Sequence, residues 1–178
     1  MIDPTIQLLL AFAFVALFGS AAAMKLRARA IFAATLADYR LIPRPLLHVT
    51  GMLVIALEIA VAVGLIWPAT RAMAGAIGAG VMVLYGAAIA INLVRGRREI
   101  DCGCSLQRRP IGRWMVVRNL IFAVALLLVM LPVAARPLGF GDIATVGAGL
   151  LVLALLYGSL DLLLGRPDSR RPFSPEHS

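Results

Sequence analysis

Chemistry-bearing side chains are scarce in this chain: two histidines, two cysteines and nine acidic residues among 178. His48 and His177 stand far from each other and from both cysteines, so no zinc-type ligand spacing exists. No glycine-rich phosphate loop is present, nor a nucleophile–histidine–acid set, nor a haem attachment signature. These absences exclude the common nucleotide-dependent, triad-hydrolase and c-type haem classes. Basic residues outnumber acidic ones 17 to 9, for a net charge of +8, yet no basic patch stands apart from the ends of apolar runs. Nucleic acid is therefore excluded as a partner. Anionic lipid headgroups explain the same charges better.

What the chain has in excess is apolar surface. Hydrophobic residues make up 61% of it, charged residues only 15%, and mean hydropathy is +0.93. A soluble domain of this size cannot hide so much and still present a wettable exterior. A membrane helix needs about 20 apolar residues. Five runs meet that length, at about 5–24, 46–67, 72–94, 114–134 and 141–164. The expected fold is all-α: one polytopic membrane bundle over residues 1–165, then a polar, disordered tail over 166–178. No strand and no soluble domain is predicted.

Charge sets the topology. Asp3, not a basic cluster, precedes the first run, and Lys25, Arg27 and Arg29 follow it, which describes an uncleaved anchor. Arg40 and Arg44 enrich the same connection, whereas the next, around Pro68, has only Arg71. The third carries Arg95, Arg97, Arg98, Arg108, Arg109 and Arg113; the fourth has Arg136 alone; the tail has Arg166, Arg170 and Arg171. Rich and poor connections alternate as the positive-inside rule requires of five spans. The reading is a multi-pass protein of a bacterial inner membrane, N-terminus outside and C-terminus cytoplasmic.

Between the first two spans, about 26–41, Ala28, Phe32, Leu36 and Tyr39 share one helical face, and Pro43 and Pro45 end the pattern. An amphipathic helix in the headgroup plane is expected there, the alternative being an extension of the first span. Ala56, Ala60 and Gly64, and likewise Ala72, Ala76 and Gly80, form small-residue ladders expected to mark helix contacts. Trp67 and Trp114 fall at span ends, where amphipathic rings prefer to sit.

The most active chemistry lies in Asp101-Cys102-Gly103-Cys104, which holds both cysteines. One glycine separates the sulfurs, so they are close enough to bridge if the turn allows, and Gly103 permits the backbone angles. A bridge across so small a ring is easily reduced. Arg97, Arg98, Arg108 and Arg109 favour thiolate, and Asp101 opposes it. Two other readings stay open: unreactive loop residues, or half of a zinc or copper(I) site completed by a partner. Glu58, near the middle of the second span, is expensive there. It is either a proton acceptor coupled to thiol chemistry or a protonated group bonded across to another helix, for example to Asn92. Arg118 and Asn119, one turn into the fourth span, are expected to snorkel or to fold over the cysteine loop. Asp161 reads as interfacial.

These residues together resemble the methylamine utilisation protein MauE family, a relative of the DoxX-like membrane proteins. The likeness spans roughly Leu8 to Leu131. It rests on Phe32, Leu36, Tyr39, Leu41 and Pro43, then Glu58, Asn92-Leu93, Arg95-Gly96-Arg97, the Asp101 to Cys104 run, and Arg118-Asn119. Ser105 and Leu106 depart from the aromatic and glycine that often follow the second cysteine. The resemblance implies a thiol-redox protein that helps mature the disulfide-rich small subunit of a periplasmic methylamine dehydrogenase, beside a thioredoxin-like, MauD-like partner. Cys102 and Cys104 would be its exchanging pair. No bound cofactor is implied, although a quinone or a partner's thiols would be needed to carry electrons across the membrane. Charge counting sets the cysteine loop in the cytoplasm while the implied client is periplasmic, and the electron route stays open. A non-enzymatic scaffold or metal-binding partner protein is the alternative function.

Overall fold

The computed structural model describes residues 1–97 and 111–164. Asp101, Cys102, Gly103 and Cys104 lie outside the described residues, as does the polar tail. The described residues form six α-helices in order: α1 Pro4–Arg27, α2 Arg29–Tyr39, α3 Leu47–Ile66, α4 Pro68–Val94, α5 Arg113–Leu128 and α6 Phe140–Leu164. A single 3-10 turn, Arg44–Leu46, leads into α3. The only β pairing among the described residues is an isolated parallel bridge between Ile2 and Val133.

Local chemistry sets these boundaries. The Asp3 side chain caps α1 by accepting from the Thr5 amide at 2.8 Å, and Pro4 occupies the first turn, where a missing N–H costs nothing. Pro68 opens α4 in the same way, directly after Trp67. Arg71, expected in a connection, therefore falls inside α4. At the end of α5, proline acts in the opposite sense. The ring of Pro132 would collide with the carbonyl of residue 128, and the α-helix stops at Leu128, short of the expected 134. Three tighter turns, closed by the amides of Val129, Met130 and Leu131, carry the chain on to Pro132.

Among the described residues, four helices are long and apolar enough to cross a membrane: α1, α3 with its leading turn, α4 and α6. The fourth expected span, α5, has 16 residues and rises about 24 Å at 1.5 Å per residue. The segment expected in the headgroup plane is a separate helix rather than an extension of the first span: α1 runs on to Arg27, the backbone breaks at Ala28, and α2 follows. Its inner face carries Phe32, Thr35, Leu36 and Tyr39, in line with the sequence pattern apart from Thr35.

Packing is most extensive between α4 and α5, then between α1 and α3 and between α3 and α4; α6 leans on α1, and α2 on α3. Phe14, Phe18, Val61, Leu65, Met82, Ala123 and Leu126 form the centre. The rings of Phe14 and Phe122 meet edge to face at 5.8 Å. Of the expected small-residue ladders only Gly64 marks a close contact, where a Cβ would stand 2.9 Å from Ala74 Cβ of α4. Ala56, Ala60, Ala72, Ala76 and Gly80 face outward, and α4 instead buries Ala74, Gly75, Gly78, Ala79 and Gly86. Closeness of approach explains that choice. A Cβ on Gly78 would stand 3.0 Å from Val61 Cγ1 and 3.3 Å from Leu126 Cδ2, so only glycine lets α3 and α5 close on α4 here.

Hydrogen bonds sort the chain's turning points into two opposite ends. At one end, Ile2 pairs with Pro132 and Ala134, Gln7 donates to Val129 O at 2.9 Å, and Arg71 reaches Gln7 Oε1 at 3.1 Å. At the other, Arg97 Nη1 donates to Asp38 O at 3.1 Å, and buried Ile111 packs with Ile89 beside Tyr39 and Leu93. The arginine-poor turning points thus share one end, and the roots of the arginine-rich connections share the other.

Arg136 closes the arginine-poor end. Its guanidinium donates to Asp3 at 3.0 Å twice, to Asp142 at 2.7 and 2.9 Å, and to Thr5 Oγ1 at 2.8 Å. The Arg136 hydrogen bond, helped by the Thr5 amide, draws Asp3 down from the ordinary 3.8 to about 2. A depressed carboxyl contributes stability above its unfolded pKa and loses it as pH falls through the folded value. The difference in unfolding midpoint between the native protein and Asp3→Asn should therefore hold constant from pH 7 to about 4. It should then shrink toward pH 2. A difference that is absent at neutral pH, or undiminished at pH 2, would contradict the clamp.

Candidate functional site

Helix α1 buries Gln7, Ala11, Phe14, Phe18, Ala22 and Lys25, spaced by three and four residues along one stripe. The stripe delivers a charge. Lys25, the chain's only lysine, is 5% exposed and bonds Glu58 of α3, itself 1% exposed. The Tyr85 hydroxyl of α4 donates to the same carboxylate oxygen, Oε1, at 2.6 Å. The ammonium also lies 5.3 Å from the ring centres of both Phe32 and Tyr85, so α2 and α4 hold it by cation–π attraction. Four helices converge on one ion pair. Glu58 Oε2 is buried and has no hydrogen-bond partner among the described residues.

Sequence reasoning singled out Glu58 and missed its partners. Lys25 was grouped with the headgroup-facing bases; the structure turns it inward instead. The signal was present in the stripe, whose next position after Ala22 is 25. Asn92 is not the partner of Glu58: its Nδ2 donates back to Ala88 O at 3.0 Å. Asn92 is wholly buried, and its Oδ1 also has no partner among the described residues. It lies two turns beyond Tyr85 on the same face of α4, and its carbonyl accepts the Arg97 amide at 3.0 Å. That bond roots the cysteine-bearing connection. Arg97 itself, expected to tune thiolate, spends one guanidinium nitrogen on a carbonyl at the C-terminal end of α2, where positive charge is favoured.

Arg118 and Asn119 part company. Arg118 Nη1 donates to the Tyr157 hydroxyl at 3.3 Å, and its guanidinium sits 5.9 Å from that ring, tying α5 to α6; its Nε is buried, with no partner among the described residues. Asn119 is buried and meets α4 at Gly86, 3.5 Å from where a Cβ there would stand. It therefore borders the level of Tyr85. Trp67 and Trp114 lie exposed at helix ends, as expected. The side chain of Asp161 lies outside the described residues. Among the described residues, no three His, Cys, Asp or Glu side chains gather as a metal ion would require.

A second polar cluster holds the opposite end. Arg71 donates through Nε to Leu65 O, through Nη2 to Ile66 O and through Nη1 to Gln7 Oε1, each at 3.1 Å. Thr70 adds a bond to Gly64 O at 2.8 Å. The last carbonyls of α3, which have no partner within their helix, are thus satisfied from α4. Gln7 does the same for α5 through Val129 O. The Arg71 and Gln7 bonds join four helices and are a structural lock.

The fold and the buried pair define a polytopic helical membrane protein whose charged centre, carried by α1 and α3, is lined by Phe32 of α2 and by Tyr85 of α4, the helix that leads into the cysteine connection. Residues 3–132 match the family described as methylamine utilisation protein MauE. The chain belongs to that family. It is 38% identical to the methylamine utilization protein MauE of Methylophilus methylotrophus, over 94% of this chain and 90% of that one. It is 39% identical to the protein of the same name from Paracoccus versutus, over 96% and 92%. The namesake from Paracoccus denitrificans is 34% identical, over 93% and 90%. No solved structure matches the chain.

Proposed function

We propose that this protein serves methylamine utilisation as an inner-membrane thiol–disulfide exchange protein, with Cys102 and Cys104 as the exchanging pair. Its client would be a periplasmic oxidoreductase subunit, the small subunit of methylamine dehydrogenase, and its partner a thioredoxin-like protein. The observation that carries this reading is the Asp-Cys-Gly-Cys run, which holds both cysteines of the chain in the connection between α4 and α5. Two further facts support it. The connection is rooted on both sides, by the Arg97 bonds to Asn92 and Asp38 and by buried Ile111. Relatives covering most of the chain carry the methylamine utilisation name.

The chemistry is thiolate exchange. One thiol loses its proton, and the thiolate attacks a disulfide sulfur of the partner. A mixed disulfide forms and one partner sulfur leaves as thiolate, which takes up a proton. The second cysteine then attacks the mixed bond, leaving Cys102 and Cys104 joined and the partner's disulfide reduced to two thiols; the reverse sequence oxidises a dithiol. By the positive-inside rule, the arginine-rich end carrying this loop faces the cytoplasm and the N-terminus faces out.

Single Cys102→Ser and Cys104→Ser variants test the proposal. Client maturation should fall at least tenfold in each. The variant that keeps the attacking cysteine should accumulate a mixed disulfide that reductant dissolves. Normal maturation in both variants would end the redox reading.

A further inference from the structure

We infer that the connection between α2 and α3 is a binding site for an anionic glycerophospholipid: Arg40 and Arg44 take its phosphate, and an acyl chain lies along the outer strip of α3. Charge is the first observation. Between Lys25 and Glu58 the chain holds four arginines and a single acidic residue, Asp38. Arg40 and Arg44 are exposed, and neither side chain makes a hydrogen bond or ion pair with a described residue, Asp38 included. At the opposite end the arginines are engaged: Arg71 by carbonyls and Gln7, Arg136 by Asp3 and Asp142. Two open guanidiniums four residues apart suit a phosphate, which accepts charge-assisted bonds from both.

Backbone and apolar surface add two more observations. Arg40 is the only non-glycine residue with positive φ among the described residues, at 48°. Glycine or asparagine adopts this left-handed cap at lower cost, so an arginine there is kept for its side chain. Arg44 stands between Pro43 and Pro45, whose rings fix φ on both sides, and little backbone freedom is left to lose on binding. Apart from Arg44, every residue from Leu41 to Leu47 is apolar, and Leu41, Pro43, Pro45 and Leu46 are exposed. A connection facing water would be polar. This one suits the boundary between headgroups and hydrocarbon.

The outer strip of α3 fixes the class of ligand. Leu46, Val49, Leu53 and Leu57 follow one another at three- and four-residue spacing, each between 38% and 63% exposed. Eleven residues of helical rise make the strip about 16 Å long, roughly half of a hydrocarbon core of about 30 Å and so one leaflet deep. The other side of α3 is occupied, with Gly51, Ile55 and Glu58 buried in the bundle. An amphiphile with an anionic head and an aliphatic tail matches arginines at the top of the strip and leucines below it. A soluble phosphate would use the arginines alone. The site does not depend on thiol exchange or on either cysteine.

The test is native mass spectrometry of the full-length protein in a non-ionic detergent, titrated with dioleoyl phosphatidylglycerol or dioleoyl phosphatidylcholine. The first phosphatidylglycerol should bind at least about tenfold more tightly than the first phosphatidylcholine. Arg40→Gln and Arg44→Gln should each weaken phosphatidylglycerol about fivefold, and together about thirtyfold, with phosphatidylcholine unchanged. Arg29→Gln, an equal loss of charge about 16 Å away along α2, should change either lipid by less than about twofold. All three arginines are exposed and unbonded among the described residues, so the variants fold as the native protein does. Equal affinity for the two lipids, or an Arg29→Gln variant as weak as the double one, would overturn the inference and leave a diffuse basic surface. Displacement of the lipid by inorganic phosphate would overturn it too, by reducing the arginines to a simple anion site.

Discussion

Removing either half of the buried ion pair, by Lys25→Met or Glu58→Leu, is expected to destabilise the protein by about 3–5 kcal/mol, whereas the double replacement should restore most of that loss. The asymmetry comes from desolvation. With one partner gone, the other is a lone charge, 5% exposed or less, among Phe32, Tyr85 and the core. With both gone, leucine and methionine fill similar volume without the cost of stripping water from charge. Thermal unfolding in detergent measures the cycle, and each single variant should unfold about 10 °C below the native protein. Additive losses in the double variant would show that the two charges are not coupled. A double variant that is stable but inactive would locate the pair's value in function.

Arg71→Leu should be the other severe change, costing about 3 kcal/mol or more. It strands the Leu65 carbonyl at the end of α3 and the Gln7 amide oxygen, whose bonds to it are buried, and the Ile66 carbonyl, whose bond is partly buried. Leucine supplies volume but no donor. Because the same cluster reaches α5 through Gln7 and Val129, loss of Arg71 should loosen α1 and α5 as well as the α3–α4 junction. Hydrogen exchange in nanodiscs should show faster exchange at residues 64–71 and 126–131, with little change around Gly51 and Phe32. Uniform acceleration along the whole chain, or none, would contradict a local lock.

Much of this architecture was legible in the sequence because membrane helices announce themselves by length and apolarity, and turning points by arginine count. The expected limits of the second and fifth spans differ from α3 and α6 by no more than a residue at either end. Errors fell where one residue competes with a run. Pro132 shortens α5 by its clash with the preceding turn, and Pro68 starts α4 early enough to draw Arg71 into the helix. The small-residue ladders, Gly64 apart, failed for a related reason. Alanine and glycine are so common along α3 and α4 that a four-residue spacing picks out more than one face, and only the close approach of Val61 and Leu126 to Gly78 decides between them.

The site was half legible. Glu58 is conspicuous because a carboxylate in an apolar run has no other use for its cost. Its partner was hidden by the habit of counting every base near a span end as a headgroup contact. Only the buried stripe of α1, carried past Ala22, turns Lys25 inward. Tyr85 gave no signal, since a tyrosine in a span is ordinary until a carboxylate lies opposite it. The cysteine pair was the plainest motif in the sequence, and its connection is rooted beside the polar residues of α4.

Acid quenching of growing cells followed by sequential alkylation of Cys102 and Cys104 tests the redox account most directly. The account predicts that both forms are trapped, joined and open, and that the joined fraction rises when the exchange partner is removed or its cysteines are replaced. Two thiols that stay fully reduced under every growth condition, including active methylamine metabolism, would contradict it.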